Sequence, residues 1–202
     1  MKKIVLALLV LTLAAGGAFA QVSAGIGGNF AVSFDSFKEG DGEMLMTTTG
    51  GGFYAFFDAT YVEVDIGLLF GSQKGKISGG GFSLELDGPN VSLLTLGVYG
   101  KYPIDLGGFT LFPMFGIQYD IGLSAELDGH KAESQDLADA LNRFWIKLGV
   151  GADINLVDAL YLRPSFLYGL NFGTKDMVDL ANDADSFFYH GLDIRVAIGF
   201  KF

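Results

Sequence analysis

From residue 22 to the end of the chain, apolar and polar side chains alternate with a period of two. That spacing puts successive side chains on opposite faces of an extended strand. Near the start, Val22, Ala24, Ile26, Phe30, Val32 and Phe34 share one face, and Ser23, Gly25, Gly27, Asn29 and Ser33 share the other. The alternation returns, with more noise, in 52–58, and then in 61–71, 91–102, 109–124, 144–155, 160–173 and 188–202. In 61–71, for example, Val62, Val64, Ile66, Leu68 and Phe70 alternate with Glu63, Asp65, Gly67 and Leu69. Eight strands are therefore expected, most of about 10 to 16 residues. Strands of soluble domains average roughly 5 to 6 residues, whereas a tilted strand crossing a bilayer needs about 9 to 11.

The connections alternate in length. Short ones are expected around 58–60, 103–108 and 157–159, and long ones at 35–51, 72–90, 125–143 and 174–187. Short turns at one end and long loops at the other are the anatomy of an all-β, antiparallel, up-and-down transmembrane barrel. Asp58-Ala59-Thr60-Tyr61 also echoes Asp158-Ala159-Leu160-Tyr161, which suggests a hairpin repeat with Asp105 marking a middle copy. A soluble barrel with a lipid-binding interior would have the same strand count with its oily face inward. Here the bulky apolar face carries no charge, whereas the other face carries Gly, Ser, Asn and closely spaced opposite charges, so the oily face is expected to point outward to lipid.

The first twenty residues follow a different rule. Lys2 and Lys3 precede the apolar run Ile4 to Ala15, and Ala18-Phe19-Ala20 is an A-x-A cleavage site. This is the pattern of a secretory signal peptide over 1–20, leaving residues 21–202 as one exported domain. Composition narrows the choice further. The 202 residues are 50% hydrophobic with 30 glycines, and the mean hydropathy is +0.39. Beyond the leader, no run approaches the roughly 18 to 20 apolar residues of a membrane helix. The absence of cysteine excludes disulfides, thiolate metal sites, a Cys nucleophile and lipid attachment through Cys. Without Lys2 and Lys3, 11 basic side chains face 23 acidic ones, a balance that repels phosphate and argues against nucleic acid as a partner.

The last segment ends the chain on an aromatic residue. Counting back by twos from Phe202 gives Phe200, Ile198, Val196 and Ile194, all on one face. This run is similar to the C-terminal assembly signal of bacterial outer-membrane proteins. With the leader and the eight alternating segments, residues 21–202 resemble the small outer-membrane barrels of the OmpA/OmpX/OmpW type. The resemblance implies a place in the bacterial outer membrane. It also implies insertion by the outer-membrane assembly machinery, both termini and the short turns in the periplasm, and four long loops outside. Outer-membrane lipid is then a partner, and the acidic loops are candidates for meeting an extracellular ligand.

On the inward face, Glu63, Asp65, Asp120, Asp153 and Asp193 stand against Lys101, Lys147, Arg163, Arg195 and Lys201. Eight strands enclose a space that side chains just fill. Charges inside must therefore be paired, because desolvation is costly. Asp153 with Arg163, and Glu63 with Lys101, lie at suitable heights above the turns. A salt-bridged plug is expected. The surplus negative charge is expected on the loops and on the turn residues Asp58, Asp105 and Asp158, leaving the strands neutral. The favoured role is thus structural or surface-interacting. The alternative is an OmpW-like channel for small hydrophobic molecules, lined by Tyr54, Phe56, Leu69, Phe112, Met114, Trp145, Leu167 and Tyr189, which share the inward phase.

Other chemistry is thin. An enzyme of the outer rim would need a triad such as His, Ser and an acid. The spacing around His130 (with Asp128 and Ser134) and around His190 specifies none. The runs Gly50-Gly51-Gly52 and Gly79-Gly80-Gly81 lack the Lys and helix of a phosphate loop. No cofactor, metal site or enzyme activity is expected. Aromatic girdles are expected from Tyr61, Tyr102, Phe109 and Phe202 at the short-turn end, and from Phe34, Phe53, Phe70, Phe144, Phe172 and Phe188 at the other. Pro113 and Pro164, which cannot donate to a ladder, should mark bulges or strand ends. Glu133 to Asn142 and Asp176 to Ala184 read as short amphipathic segments that could cap the outer mouth.

Overall fold

A computed structural model of the protein describes residues 22–127, 130–131, 141–171 and 186–202. Eight long strands follow one another: β1 Val22–Glu39, β2 Gly42–Ala59, β3 Val62–Gly79, β4 Phe82–Lys101, β5 Phe109–Leu127, β6 Arg143–Val157, β7 Leu160–Asn171 and β8 Ser186–Lys201. Each pairs antiparallel with its sequence neighbours, and β1 pairs with β8 from Ser23↔Lys201 to Lys38↔Ser186. The sheet thus closes into a ring with no free edge. Closure gives the ladder hydrogen bonds partners without water, which is the condition for crossing lipid with strands.

The alternation sorts side chains between two environments. Ile26, Phe53, Phe115, Leu148 and Ile194 stand exposed on the outside, Ile26 at 72% and Phe53 at 73% of their full surface. These are lipid-facing positions on a barrel, where exposure to a bilayer stands in for burial in a core. Tyr61, Tyr102, Phe109, Phe200 and Phe202 form the outer aromatic set at the short-turn end. Among the described residues the inner face holds three small apolar clusters. Tyr54, Phe56, Tyr161 and Ala197 form one, Tyr99, Phe112, Met114 and Leu167 a second, and Leu69, Val91, Leu93, Ala125 and Leu141 the third.

Two of the expected long loops are strands. Residues 35–51 complete β1 and β2 around the turn Gly40–Asp41, and 72–90 complete β3 and β4 around Gly80–Gly81. Gly80 and Gly81 both have positive φ (57° and 84°), the backbone of a two-residue turn matched to strand twist. The apolar alternation fades over 47–52 and 71–76, whereas Phe82, Leu84 and Leu86 keep it on the upper part of β4, where they stand exposed. Pairs such as Glu43↔Ser78 and Lys76↔Glu85 carry the sheet onward. Most of the remaining long connections, with Phe172 and the segment 176–184, lies outside the described residues, as do Asp128, Ser134 and most of 133–142. The side chain of Phe188 is likewise outside them.

The hairpin repeat is a likeness of sequence only. The two-residue turn falls on Thr60–Tyr61 in one copy and on Asp158–Ala159 in the other. Asp58 is consequently buried and Tyr61 exposed, whereas Asp158 is exposed and Tyr161 fully buried. Pro113 makes no bulge. Its carbonyl accepts from Tyr102 N–H at 3.1 Å, just past the end of β4, so its missing donor falls where the neighbouring strand stops. At Pro164 the ladder to β8 runs on unbroken, while paired positions with β6 skip from Gly151↔Ser165 to Ile154↔Leu162.

The glycine run 50–52 permits a close approach of β2 to β3. A Cβ built on Gly52 would strike the Leu68 carbonyl oxygen, and one on Gly50 would lie 2.6 Å from the Phe70 oxygen. Gly52→Val should destabilise the folded barrel by about 1 to 3 kcal/mol, the usual cost of overpacking. The temperature at which the folded, fast-migrating gel band converts to the unfolded one measures this. A midpoint equal to that of the unchanged protein would remove the close-approach argument.

Candidate functional site: a charged lumen

Charges fill the lumen in three tiers. In the tier nearest the short turns, Arg163 of β7 reaches across the barrel. Its Nη1 donates to Glu63 Oε2 at 2.5 Å, and its Nη2 donates to Asp58 Oδ2 at 2.6 Å. Its Nε and Nη2 form a fork on Asp153 at 2.6 and 2.7 Å. Lys101 Nζ donates to the same Asp58 Oδ2. The guanidinium is also flanked by rings, with Phe56, Phe112 and Tyr161 centroids at 4.6, 5.0 and 5.0 Å. Six strands, β2 to β7, contribute to this one cluster. Planar, delocalised guanidinium suits both the forked carboxylate geometry and the aromatic faces, which lysine would not reproduce.

The middle tier centres on Arg195 of β8. Its Nη1 donates to Asp65 at 2.5 Å, its Nε to Asp193 at 2.8 Å, and its Nη2 to Gln118 Oε1 at 2.9 Å. Tyr54 and Tyr99 lie beside the guanidinium, centroids at 5.2 and 5.4 Å. Lys147 Nζ donates to Gln118 and Asp193 at 2.8 and 3.2 Å. Asp120 accepts from Gln118 Nε2 at 2.6 Å and Trp145 Nε1 at 2.7 Å. In the outermost tier, Arg143 donates to Asp35 at 3.0 Å and to Ser33 Oγ at 3.2 Å.

Of the ten inward charges read from the sequence, nine are buried and joined in the lower and middle tiers. Lys201 is not part of either. It sits half-buried at the periplasmic mouth, where its Nζ donates to Asn155 Oδ1 at 2.6 Å and lies over the Tyr161 ring. The pairing differs from the expected one at Glu63 and Lys101. Glu63 is bound to Arg163, and Lys101 to Asp58. Three charged members were missed: Asp58, placed on an aqueous turn, and Asp35 and Arg143, placed in loops. The phase contained the signal for Asp58 and Asp35, since Asp58 falls in register with Tyr54 and Phe56, and Asp35 with Ser33. The strands are also not neutral. Asp35, Asp58, Glu63, Asp65, Asp120, Asp153 and Asp193 outnumber Lys101, Arg143, Lys147, Arg163 and Arg195 in the buried set.

Elsewhere, Ile194, Val196, Ile198, Phe200 and Phe202 all project outward from β8 and the terminal residue. His190 also points outward, stacked on Phe34 with centroids 5.2 Å apart. His130 lies in the two-residue bridge His130–Lys131, opposite Glu126 and Leu127. Among the described residues no group of three His, Asp or Glu side chains could hold a metal.

A closed ring of eight sequential antiparallel strands, oily outside and ion-paired inside, defines a small outer-membrane β-barrel. The chain belongs to the outer membrane protein beta-barrel domain family, whose model matches residues 5–202. That family places it in the bacterial outer membrane. Among solved structures, the outer membrane protein OprG from Pseudomonas aeruginosa is 13% identical over 93% of this chain and 98% of its own, with a TM-score of 0.53. A major outer membrane protein from Thermus thermophilus is 16% identical over 87% of this chain and 99% of its own (TM-score 0.47). Neisserial surface protein A is 10% identical over 89% and 97%, at 0.48. No curated protein matches the chain.

Removing the Arg163 side chain should be costly, because three carboxylates would stay buried without their shared counter-charge. Arg163→Met should destabilise the barrel by about 3 to 5 kcal/mol. Arg163→Lys should recover only part of that, since one ammonium cannot replace a fork. Urea unfolding in detergent micelles, followed by tryptophan fluorescence of Trp145, gives both values.

Proposed function

We propose that this protein is a plugged barrel with a structural and surface-interaction role in the outer membrane, neither a conducting pore nor an enzyme. The observation that carries this reading is the reach of Arg163 from β7 to Asp58 and Glu63 on the opposite wall. A bridge of that kind occupies the lumen cross-section, and Arg195 to Asp65 repeats it one tier higher. The aromatic residues that could have lined an apolar passage support the same reading. Phe56 and Phe112 pack on Arg163, and Tyr54 and Tyr99 pack on Arg195, so they serve as walls for cations. This favours the plug over an OmpW-like route for hydrophobic molecules.

In the same reading, residues 1–20 are an export signal. Ile194, Val196, Ile198, Phe200 and Phe202 form the signal read by the assembly machinery. The acidic outer surface, including Asp41, Glu43, Glu85 and Asp87 on the tall β1–β4 hairpins, is where an extracellular ligand would dock.

In planar bilayers the unchanged protein should show no sustained conductance. Arg163→Ala combined with Arg195→Ala should open brief, cation-preferring events, because Asp58, Glu63, Asp65, Asp153 and Asp193 would remain with only Lys101 and Lys147. A steady open pore from the unchanged protein would overturn the plug. Deleting Phe202 should leave the exported chain in the periplasm rather than in the outer-membrane fraction. Undiminished membrane recovery of that variant would show that the terminal aromatic is not the assembly signal.

A further inference from the structure

We propose that the upper part of β4 is a docking edge for an extended segment of another protein, one whose side chains alternate between apolar and basic. The closed ring has no edge, but the wall that rises above it has one. β4 pairs with β3 as far as Gly79↔Phe82, whereas its pairing with β5 stops at Asn90↔Glu126. β5 ends at Leu127, and His130 and Lys131 then pair back on it, on the side away from β4. Among the described residues, Phe82 to Pro89 therefore have a strand on one side only.

The two faces of this edge are sorted. Gly88 and Pro89 together oppose Gln73, a bulge that shifts the phase of β4 by one residue. Below it, Val91 and Leu93 point into the barrel; above it, Phe82, Leu84 and Leu86 take the inward phase. Phe37, Met44, Ile77 and Leu84 form one row across β1 to β4 on that face. Phe82, Leu84 and Leu86 are 63, 42 and 45% exposed. The other face carries Ser83, Glu85 and Asp87, with Lys76 and Lys74 beside the two acids on β3. The ladder also tells which backbone groups are open. Lys101 N–H donates to the Tyr61 carbonyl, so odd-numbered residues of β3 bond toward β4. Above the bulge, Gly75, Ile77 and Gly79 meet Leu86, Leu84 and Phe82. The N–H and C=O groups of Ser83, Glu85 and Asp87 then point away from β3, to the open edge. Unpaired ladder groups beside an oily face are a template for one more strand.

Charge and symmetry choose the occupant. A strand added here sets its outer side chains directly opposite Glu85 and Asp87, closer than Lys74 and Lys76 one strand further on. Opposite charges in such cross-strand pairs stabilise and like charges destabilise, so those positions call for Lys or Arg. Its inner side chains fall against Phe82, Leu84 and Leu86 and call for apolar residues. A second copy of this chain does not fit. Two barrels in one membrane stand the same way up, so a two-fold axis relating them runs along the membrane normal. That rotation makes the oily face of one edge run on as the charged face of the other. The inference deepens the surface-interaction reading and rests on it for the exposure of this end outside the cell.

The test uses the full barrel refolded in detergent and a fluorescent peptide of alternating lysine and valine. One control peptide has the same residues with valines and lysines in separate blocks. Two more keep the alternation but carry N-methyl groups on the lysine nitrogens or on the valine nitrogens. Fluorescence anisotropy should show the alternating peptide bound at least about tenfold more tightly than the block peptide or the lysine-methylated one, since both lose ladder bonds. Methylation on valine nitrogens, which face away from β4, should be tolerated. Ser83→Pro removes an edge donor and no bond to β3, and should weaken binding to the same degree. Glu85→Lys with Asp87→Lys should transfer the preference to a glutamate–valine peptide. The fast-migrating gel band confirms that each variant folds. Equal binding of block and alternating peptides, indifferent to Ser83→Pro, overturns the edge and leaves the acidic outer face as a docking surface. Absence of binding by every peptide also overturns it, as does a dimer of the unchanged barrel that Ser83→Pro dissolves. Conductance of the same preparation judges the plug separately, whatever the peptides do.

Discussion

Everything inside this barrel depends on cations from one wall meeting carboxylates from the other. An eight-stranded ring is too narrow for a hydrated core and too polar on its inner face for an oily one. Arg163 and Arg195 resolve the conflict. Each satisfies several acceptors at once and presents its flat faces to aromatic rings, so polar and apolar inward residues pack together. The ring fixes which strands face each other. The guanidinium groups make those opposed strands mutually dependent.

The outer face obeys a simpler constraint. Its side chains need only be apolar where the bilayer lies and may be anything above it. β1 to β4 run on into a tall wall of sheet, with charged pairs such as Lys74 beside Asp87 on one face.

That constraint also explains what could and could not be read from the sequence. Strand number, neighbour order and the inward phase of Arg163 and Arg195 were legible, because a period of two survives any amount of local noise while one face touches lipid. The upper halves of β2 and β3 were not, since Thr47 to Gly52 and Gly71 to Lys76 carry no oily alternation; on β4 Phe82, Leu84 and Leu86 did carry it and were overlooked. Asp58 was misread for a related reason. Its neighbours looked like a turn, and only the placement of the turn at Thr60, with its positive φ of 63°, leaves Asp58 inside. Arg143 lay one residue outside the periodic run of β6. Pairing partners were the least legible of all, because Glu63 and Lys101 are adjacent by height, yet Glu63 is held by Arg163 across the lumen and Lys101 by Asp58 two strands away.

The span of the lower tier has a consequence for how such a chain reaches its final form. Arg163 is separated by 100 residues from Glu63 and by 105 from Asp58, and it comes from the penultimate strand to form. Until β7 arrives, the carboxylates of β2 and β3 have no guanidinium, and only the last ladder, β8 on β1, seals the ring. Contacts this distant in sequence form late and slowly. Filling the interior and closing the circumference are therefore one cooperative event. A half-built barrel of β1 to β4 is a curved sheet whose inner face sets Asp35, Asp58, Glu63 and Asp65 against Lys101 alone.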